Sequence, residues 1–177
     1  MKFFKSLFFV LLITSCSHSE NHLTAVSLME KKVIKEIENK YNLQCICTSG
    51  RLMHNVTSLS LEFLSYNHLT ENEMRYLLVT ISNLYLQEIN NNQEIRKYLN
   101  TYPFTTNEID IAIYPLDPKP GMCVEDYMSY GEMNYNKLQY SILDKFTYPR
   151  RKTKLIETFE EAEELLKKSE FRKDEHL

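Results

Sequence analysis

Hydrophobic and polar residues alternate along the chain with two different periods, and the longer period predicts three helices. Over residues 25–41, apolar side chains recur at steps of three and four and form one stripe of a helix: Val26, Met29, Val33, Ile37 and Tyr41. A second helix begins at Thr70, because Thr70 and Glu73 match a Thr-x-x-Glu capping box. Thr158 and Glu161 match the same motif and open the last helix.

A period of two predicts the strands. The alternation is cleanest at residues 57–63, where Leu59, Leu61 and Phe63 share one face and polar residues the other. Further strands are predicted at 43–48, 109–114, 127–133, 138–144 and 154–156, with a turn at Ser49-Gly50. Strands come in neighbouring pairs without regular βαβ alternation. This order predicts an α+β fold, with an antiparallel or mixed sheet of about five strands and two or three helices packed on one face.

Residues 1–16 have a pattern that is typical of an export signal. Lys2 and Lys5 form a positive start, residues 7–13 are an unbroken apolar run, and small residues lead to Cys16. A charged region, an apolar region and a small-residue region in this order are the plan of a secretory signal peptide. The apolar run is far shorter than the roughly 20 residues that a membrane-spanning helix needs.

The quartet Ile13-Thr14-Ser15-Cys16 resembles the lipobox of bacterial lipoprotein precursors, in which an aliphatic residue and two small residues precede a cysteine. The resemblance implies that residues 1–15 are removed as a signal peptide. It also implies that the Cys16 thiol receives a diacylglycerol group and that the new amino group is acylated, as by palmitate. Two or three chains on one residue would anchor the exported protein in a bacterial cell membrane. Ser17 is similar to the pattern that permits transfer to an outer membrane. A plain secretory signal and a short buried helix are the alternatives.

The resemblance and the pattern together divide the chain into four parts. Residues 1–15 are the signal peptide, 16–23 the lipidated cysteine with a polar tether, 24–170 a single α+β domain, and 171–177 a charged tail that frays. A length of 177 residues with 43% hydrophobic and 25% charged residues fits one globular domain. A net charge of −3 argues against a nucleic-acid partner. The absence of Trp excludes sugar-binding platforms built from that residue.

Three cysteines follow Cys16, and export would place them in an oxidising compartment. Cys45 and Cys47 lie two positions apart on a predicted strand, so both are expected to face inside, where they cannot easily bond to each other. Two interpretations stay open: a disulfide from Cys45 or Cys47 to Cys123, and small buried thiols that pack as apolar groups. A metal site with His54 is not expected, because a second close pair of ligands is missing.

No converging set of nucleophile, base and metal ligands is visible, so no catalytic residue, metal or cofactor is assigned. Pairing of Cys47 with His54 and of Glu125 with Asp126 gives only weak enzyme candidates. The basic run 149–154 is either a solvated loop or a contact for anionic lipid headgroups. The tyrosines near the predicted hairpin serve strand packing or form a docking face for a protein or peptide. They are Tyr127, Tyr130, Tyr135, Tyr140 and Tyr148.

These observations favour a membrane-anchored lipoprotein of the cell envelope with a non-catalytic binding or scaffolding domain. Its partners would be the lipid bilayer, through acylated Cys16, and an envelope protein. The alternative is an anchored envelope hydrolase whose site is assembled from residues distant in sequence. A purely structural spacer is a third class.

Overall fold

The structure is a computed structural model, and it describes residues 20–116, 127–143 and 151–174. These residues form α1 (Glu20–Tyr41), β1 (Leu43–Arg51), β2 (Ser58–Ser65), β3 (Leu69–Thr70), α2 (Glu71–Asn91), α3 (Gln93–Arg96), β4 (Ile109–Pro115), β5 (Tyr127–Met128), β6 (Tyr130–Asn134), β7 (Lys137–Leu143), β8 (Arg151–Thr158) and α4 (Phe159–Asp174). Of the helices in these ranges, none combines the length and the apolar character needed to cross a membrane.

Six strands form one mixed sheet in the order β1-β2-β4-β6-β7-β8. β2 and β4 run parallel, and the other neighbouring pairs run antiparallel. A parallel pair needs a crossover connection, which α2 and α3 supply between β2 and β4. The segment predicted as one strand at 127–133 divides, because β5 pairs with β3 and only β6 pairs with β7. The predicted α+β fold with a mixed sheet and helices on one face is confirmed.

α2 covers the centre of the sheet. Its capping box is confirmed, since the backbone N–H of Thr70 donates to the Glu73 carboxylate over 2.8 Å and the N–H of Glu73 donates back to Thr70 Oγ1. The helix packs against β4 and β6 with fully buried apolar residues, which include Met74, Leu78, Ile81 and Ile89. At Gly131 of β6 an added Cβ would lie 2.4 Å from Met74 Sδ, so a larger residue would require Met74 to move.

The sheet is buried on one face. On that face Leu59, Leu61 and Phe63 of β2 and Ile109, Ile111 and Ile113 of β4 are completely inaccessible. α1 lies over β1, α2 over the centre and α4 over β7 and β8. The alternate residues of β2, β4 and β6 are only half-buried. This is the pattern of a strand with one wet face, as the sequence predicts.

A buried ion pair joins α2 to the last strand. The Arg75 guanidinium donates to the Glu157 carboxylate, with Nε 2.7 Å from Oε1, and the two side chains are 6% and 7% exposed. The Tyr140 hydroxyl donates to the same carboxylate over 2.5 Å. Arg75 also donates to Asn72 and Glu71. These hydrogen bonds offset the desolvation of both charges, and the pair fixes β8 against α2.

β1 differs most from the strand that the sequence predicts. Ser49 and Gly50 do not form a turn, because β1 continues through them to Arg51 and pairs with β2 throughout. A bulge shifts the register between Cys45 and Cys47. An extra residue turns the following side chains to the opposite face, so Cys45 is half-buried toward the helices and Cys47 is exposed. The expectation that both cysteines face inside is wrong for Cys47.

Both ends of the described chain are more helical than predicted. α1 begins at Glu20, within the stretch 16–23 that the sequence assigns to a polar tether. α4 continues to Asp174, into the predicted tail 171–177.

We expect Glu157→Leu to destabilise the protein strongly, because it removes the buried carboxylate from the Arg75 guanidinium and leaves only the more exposed Glu71 opposite it. Removing one partner of a buried ion pair typically costs about 3–5 kcal/mol, whereas apolar replacement of both partners costs much less. Urea unfolding should therefore show a large loss of unfolding free energy for Glu157→Leu and for Arg75→Leu, and a smaller loss for the double variant. The exposed pair Lys32–Glu88 is the control, and Glu88→Gln should resemble the unmodified protein. If the loss of unfolding free energy in the double variant equalled the sum of the two single losses, the stabilising coupling between Arg75 and Glu157 would be contradicted.

Candidate functional site

The candidate functional surface is the sheet face opposite the helices, here called the open face. Its central positions are the outward residues of β2, β4 and β6: Ser58, Ser60, Glu62, Leu64, Asp110, Ala112, Tyr114, Tyr130, Glu132 and Asn134. Strand register places Glu62 beside Ala112, and Ala112 beside Glu132. Two acidic side chains therefore lie on either side of a small residue in one row across the sheet.

Two tyrosines and two carboxylates form a cluster at the centre of the open face. The rings of Tyr114 and Tyr130 lie 5.1 Å apart between centroids. The Tyr130 hydroxyl donates a hydrogen bond to Glu132, and Glu62 lies near enough to Tyr114 to raise the pKa of its phenol. The Arg151 guanidinium lies over both rings, 5.5 Å from the centroid of Tyr114 and 5.2 Å from that of Tyr130. This is a cation–π arrangement shared by two rings.

The two phenols of this cluster are held in their neutral form. Burial raises the pKa of Tyr130, and the hydrogen bond to Glu132 raises it further. Burial also raises the pKa of Tyr114, and Glu62 adds to the effect. Both hydroxyls therefore stay protonated at neutral pH and act as hydrogen-bond donors, not as bases. Such a cluster is suited to recognition.

A second feature, here called the polar cleft, lies where β1 ends and β2 begins. It has a volume of about 200 Å³ and is lined by Ser49, Gly50, Arg51, Ser58, Ser60, Asn107, Asp110 and Tyr135. These residues come from three neighbouring strands and two turns, so the register of the sheet assembles the cleft. Its lining offers hydroxyls, an amide, a carboxylate and a guanidinium, which together include donors and acceptors.

Tyr135 forms the aromatic rim of the polar cleft and sits in the two-residue turn between β6 and β7. Tyr135 and Asn136 both have left-handed backbones, with φ of 46° and 62°, as tight hairpin turns require. Asn136 anchors the turn, because its side-chain amide donates to Glu160 over 3.0 Å and its Oδ1 accepts from Thr106 over 2.6 Å. The N–H of Phe159 donates to the Asn136 carbonyl. The Tyr135 ring, 63% exposed, is thus held at the rim.

Asp110 and Arg51 supply the charges of the polar cleft. Burial raises the pKa of Asp110, Arg51 lowers it by a smaller amount, and Glu132 raises it again. The net direction is upward, so the protein environment disfavours the ionised carboxylate. Because its pKa is raised in the folded protein, the ionised Asp110 carboxylate lowers the stability of the fold at neutral pH unless a ligand compensates for its burial.

The cysteines predicted as site residues do not meet in the described part of the chain. Cys16 and Cys123 lie outside the described residues, so lipidation and the disulfide stay predictions. Cys47 is exposed on the open face opposite Glu62, and burial raises the pKa of Cys45, which lowers its reactivity. Within the described ranges, no group of three or more His, Cys, Asp or Glu side chains is placed to hold a metal ion.

The structure separates the tyrosines that the sequence groups together. Tyr140 is fully buried, Tyr130 belongs to the cluster on the open face, and Tyr135 borders the polar cleft. The part of the basic run at residues 151–154 belongs to β8, so its interpretation as a solvated loop is wrong there. Glu125, Asp126 and Tyr148 lie outside the described residues, as does the side chain of Tyr127.

Sequence reasoning missed the polar cleft. The alternation around Asp110 is a usable signal, because an acid between Ile109 and Ile111 must point to the wet face of its strand. The contribution of Arg51 had no such signal, since the expected turn at Ser49-Gly50 placed it beyond the strand.

We expect Asp110→Asn to stabilise the protein at neutral pH. Because burial raises the pKa of Asp110 in the folded state, the unfolded chain ionises first as the pH rises, and stability is lost over that range. The gain in stability from Asp110→Asn should therefore be present at about pH 7. It should be absent at about pH 3, where Asp110 is protonated in both the folded and the unfolded protein. Thermal unfolding at the two pH values measures the difference. A lower melting temperature for Asp110→Asn at neutral pH would contradict the electrostatic assignment.

Glu73 provides a control for which replacing the carboxylate should change stability at neutral pH in the opposite direction. Hydrogen bonds from the Thr70 backbone and hydroxyl lower the pKa of Glu73, so its ionised form stabilises the fold. Glu73→Gln should therefore lower the melting temperature at neutral pH and have little effect in acid.

Comparison with known proteins adds no family to this picture. No protein-family model matches the chain, and no curated protein or solved structure is significantly similar to it.

Proposed function

We propose that this protein is a membrane-anchored bacterial lipoprotein whose folded domain is a non-catalytic binding module of the cell envelope. The observation that carries the binding role is the open face, which presents neutral phenols, a shared guanidinium and the polar cleft on one accessible surface. The lipobox-like quartet that ends at Cys16 supports the anchored location.

The chemistry of the open face favours binding over hydrolysis. One observation supports an anchored hydrolase, namely the raised pKa of Asp110 inside a cleft. A nucleophilic serine also needs a base in contact with its hydroxyl and an oriented partner for that base. The described lining of the polar cleft has no histidine, cysteine or lysine beside its serines. The hydroxyls, amide, carboxylate and guanidinium that line the polar cleft are well suited to exchange hydrogen bonds with a ligand.

The fold would hold the polar cleft close to the bilayer. The His22 ring nitrogen Nε2 lies 2.7 Å from the Leu52 carbonyl, and Leu52 directly follows Arg51 of the cleft. Six residue steps separate Cys16 from His22, and they span at most about 22 Å. An anchor at Cys16 therefore keeps this end of the sheet near the membrane surface, where the local concentration of envelope ligands is high.

We expect Cys16→Ala to release the protein from the membrane fraction, because it removes the thiol that carries the lipid chains. Fractionation and intact-mass spectrometry of the expressed full chain measure this. The unmodified protein should be membrane-bound, begin at Cys16 and carry acyl mass. Cys47→Ala, which removes an exposed thiol on the open face, is the matched control and should stay membrane-bound. Equal membrane retention and lipid mass in Cys16→Ala would refute the anchor.

We also expect the open face to be protected when the protein is in its envelope. Hydroxyl-radical footprinting should oxidise Tyr135 and Tyr130 less in isolated envelopes than in purified protein, because a bound ligand shields them. Tyr76 on α2 and Tyr102, whose hydroxyl bonds to Asn90 of α2, are exposed to an extent similar to that of Tyr135 and should react equally in both samples. Protection that is uniform, or confined to Tyr76 and Tyr102, would contradict a binding role for the open face.

A further inference from the structure

The polar cleft combines an exposed aromatic ring with hydrogen-bonding groups of both kinds. Tyr135 supplies a flat apolar surface at the rim, and Asp110 and Arg51 supply an acceptor and a donor fork in the lining. The hydroxyls of Ser49, Ser58 and Ser60 can both donate and accept. A ligand that satisfies all of these groups has an apolar flat side and several hydroxyl groups around its edge.

Tyr135 is held at the rim at a cost to the fold. Two-residue turns with positive φ at both positions favour Asn, Asp and Gly, and a bulky residue with φ of 46° is unusual. The hydrogen bonds of Asn136 to Thr106, Glu160 and Phe159 keep the turn in place in spite of this cost. A strained residue with its ring exposed beside a cleft contributes little to packing, which points to a role in binding.

We propose that the polar cleft binds one ring of a saccharide, with the apolar face of the sugar against Tyr135 and its hydroxyl groups bonded to Asp110 and Arg51. This inference rests on the proposed binding function of the open face and names its ligand class. The presence of both a carboxylate and a guanidinium suits a ligand rich in hydroxyls better than an ion of one sign.

The size of the polar cleft agrees with this ligand. Its volume of about 200 Å³ is below the roughly 300–1,000 Å³ of sites that enclose drug-sized molecules. One sugar ring can therefore be held while the rest of a glycan extends over the open face. The ring can belong to a glycan chain or to the headgroup of a glycolipid, and both are accessible to a cleft held near the bilayer.

Saturation-transfer difference NMR on the full lipidated protein in detergent micelles tests the proposal. The probes are the tetramer of N-acetylglucosamine, maltotetraose and, as a non-sugar, the dipeptide Ala-Ala, with empty micelles as the blank. Transfer to the ring C–H protons of a saccharide is expected. Tyr135→Ala should weaken that binding about tenfold, whereas Tyr135→Phe, which keeps the ring, should stay within about threefold. Tyr66→Ala is the matched control, because Tyr66 is 56% exposed and follows the opposite end of β2.

Asp110→Asn separates binding from folding. This variant is expected to be at least as stable as the unmodified protein at neutral pH, and its melting temperature is measured in the same buffer, so that a loss of saccharide binding by folded protein is identified as such. No transfer to either saccharide, transfer unchanged in both Tyr135→Ala and Asp110→Asn, or preferential binding of Ala-Ala would overturn the proposal. If no saccharide binds but the open-face tyrosines are protected in envelopes, only the ligand class fails. If that protection is also missing, the proposed function fails as well.

Vesicles distinguish the two sources of the sugar. The lipidated protein is reconstituted in phosphatidylcholine vesicles with and without a digalactosyl lipid, and oxidation of Tyr135 is measured. Protection that requires the glycolipid assigns a lipid headgroup. Protection that appears only after the free tetrasaccharide is added assigns a glycan chain. Both results support a saccharide site, and an unchanged oxidation rate in all samples overturns it.

Discussion

The packing of α2 across one face of the sheet is the constraint on which the rest of the structure depends. The side chain of Met74 lies against Gly131, and the apolar stripe of the helix buries β4 and β6. α1 and α4 pack beside α2 on the same side of the sheet. The apolar residues at alternate strand positions are therefore buried on that side. The other alternate residues are polar or aromatic except for Leu64 and Ala112, and they form an open face that the helices do not cover.

Polar contacts then fix the edges of the sheet relative to this core. The Arg75–Glu157 pair holds β8 to α2, and this places Arg151, on the outward side of the same strand, over the tyrosine pair. Asn136 ties the β6–β7 turn to α4 and to the segment before β4, and this places Tyr135 beside the polar cleft. The geometry of the open face is therefore set by contacts made on the opposite face and at the ends of the strands.

Local signals predicted most of the elements and the wet face of the strands, but the sites assembled on that face could not be predicted from them. The capping box at Thr70 and the alternation of β2 and β4 are properties of neighbouring residues, and the structure confirms both. The bulge between Cys45 and Cys47 depends on which residue of β2 each one meets, and no local pattern encodes that. The polar cleft likewise exists only because β1, β2 and β4 are adjacent, which includes a parallel pairing that spans a long crossover.

Two groups of the polar cleft work against stability, and this agrees with a preformed binding site. Tyr135 has a backbone conformation that disfavours bulky residues, and Asp110 has a carboxylate that burial disfavours. Natural proteins retain such groups where binding requires them. Because the turn and β4 are already fixed, a ligand would not have to order them, and less conformational entropy would be lost on binding. An anchor at Cys16 would add a high local concentration, so even a small cleft with weak affinity would be occupied at the membrane surface.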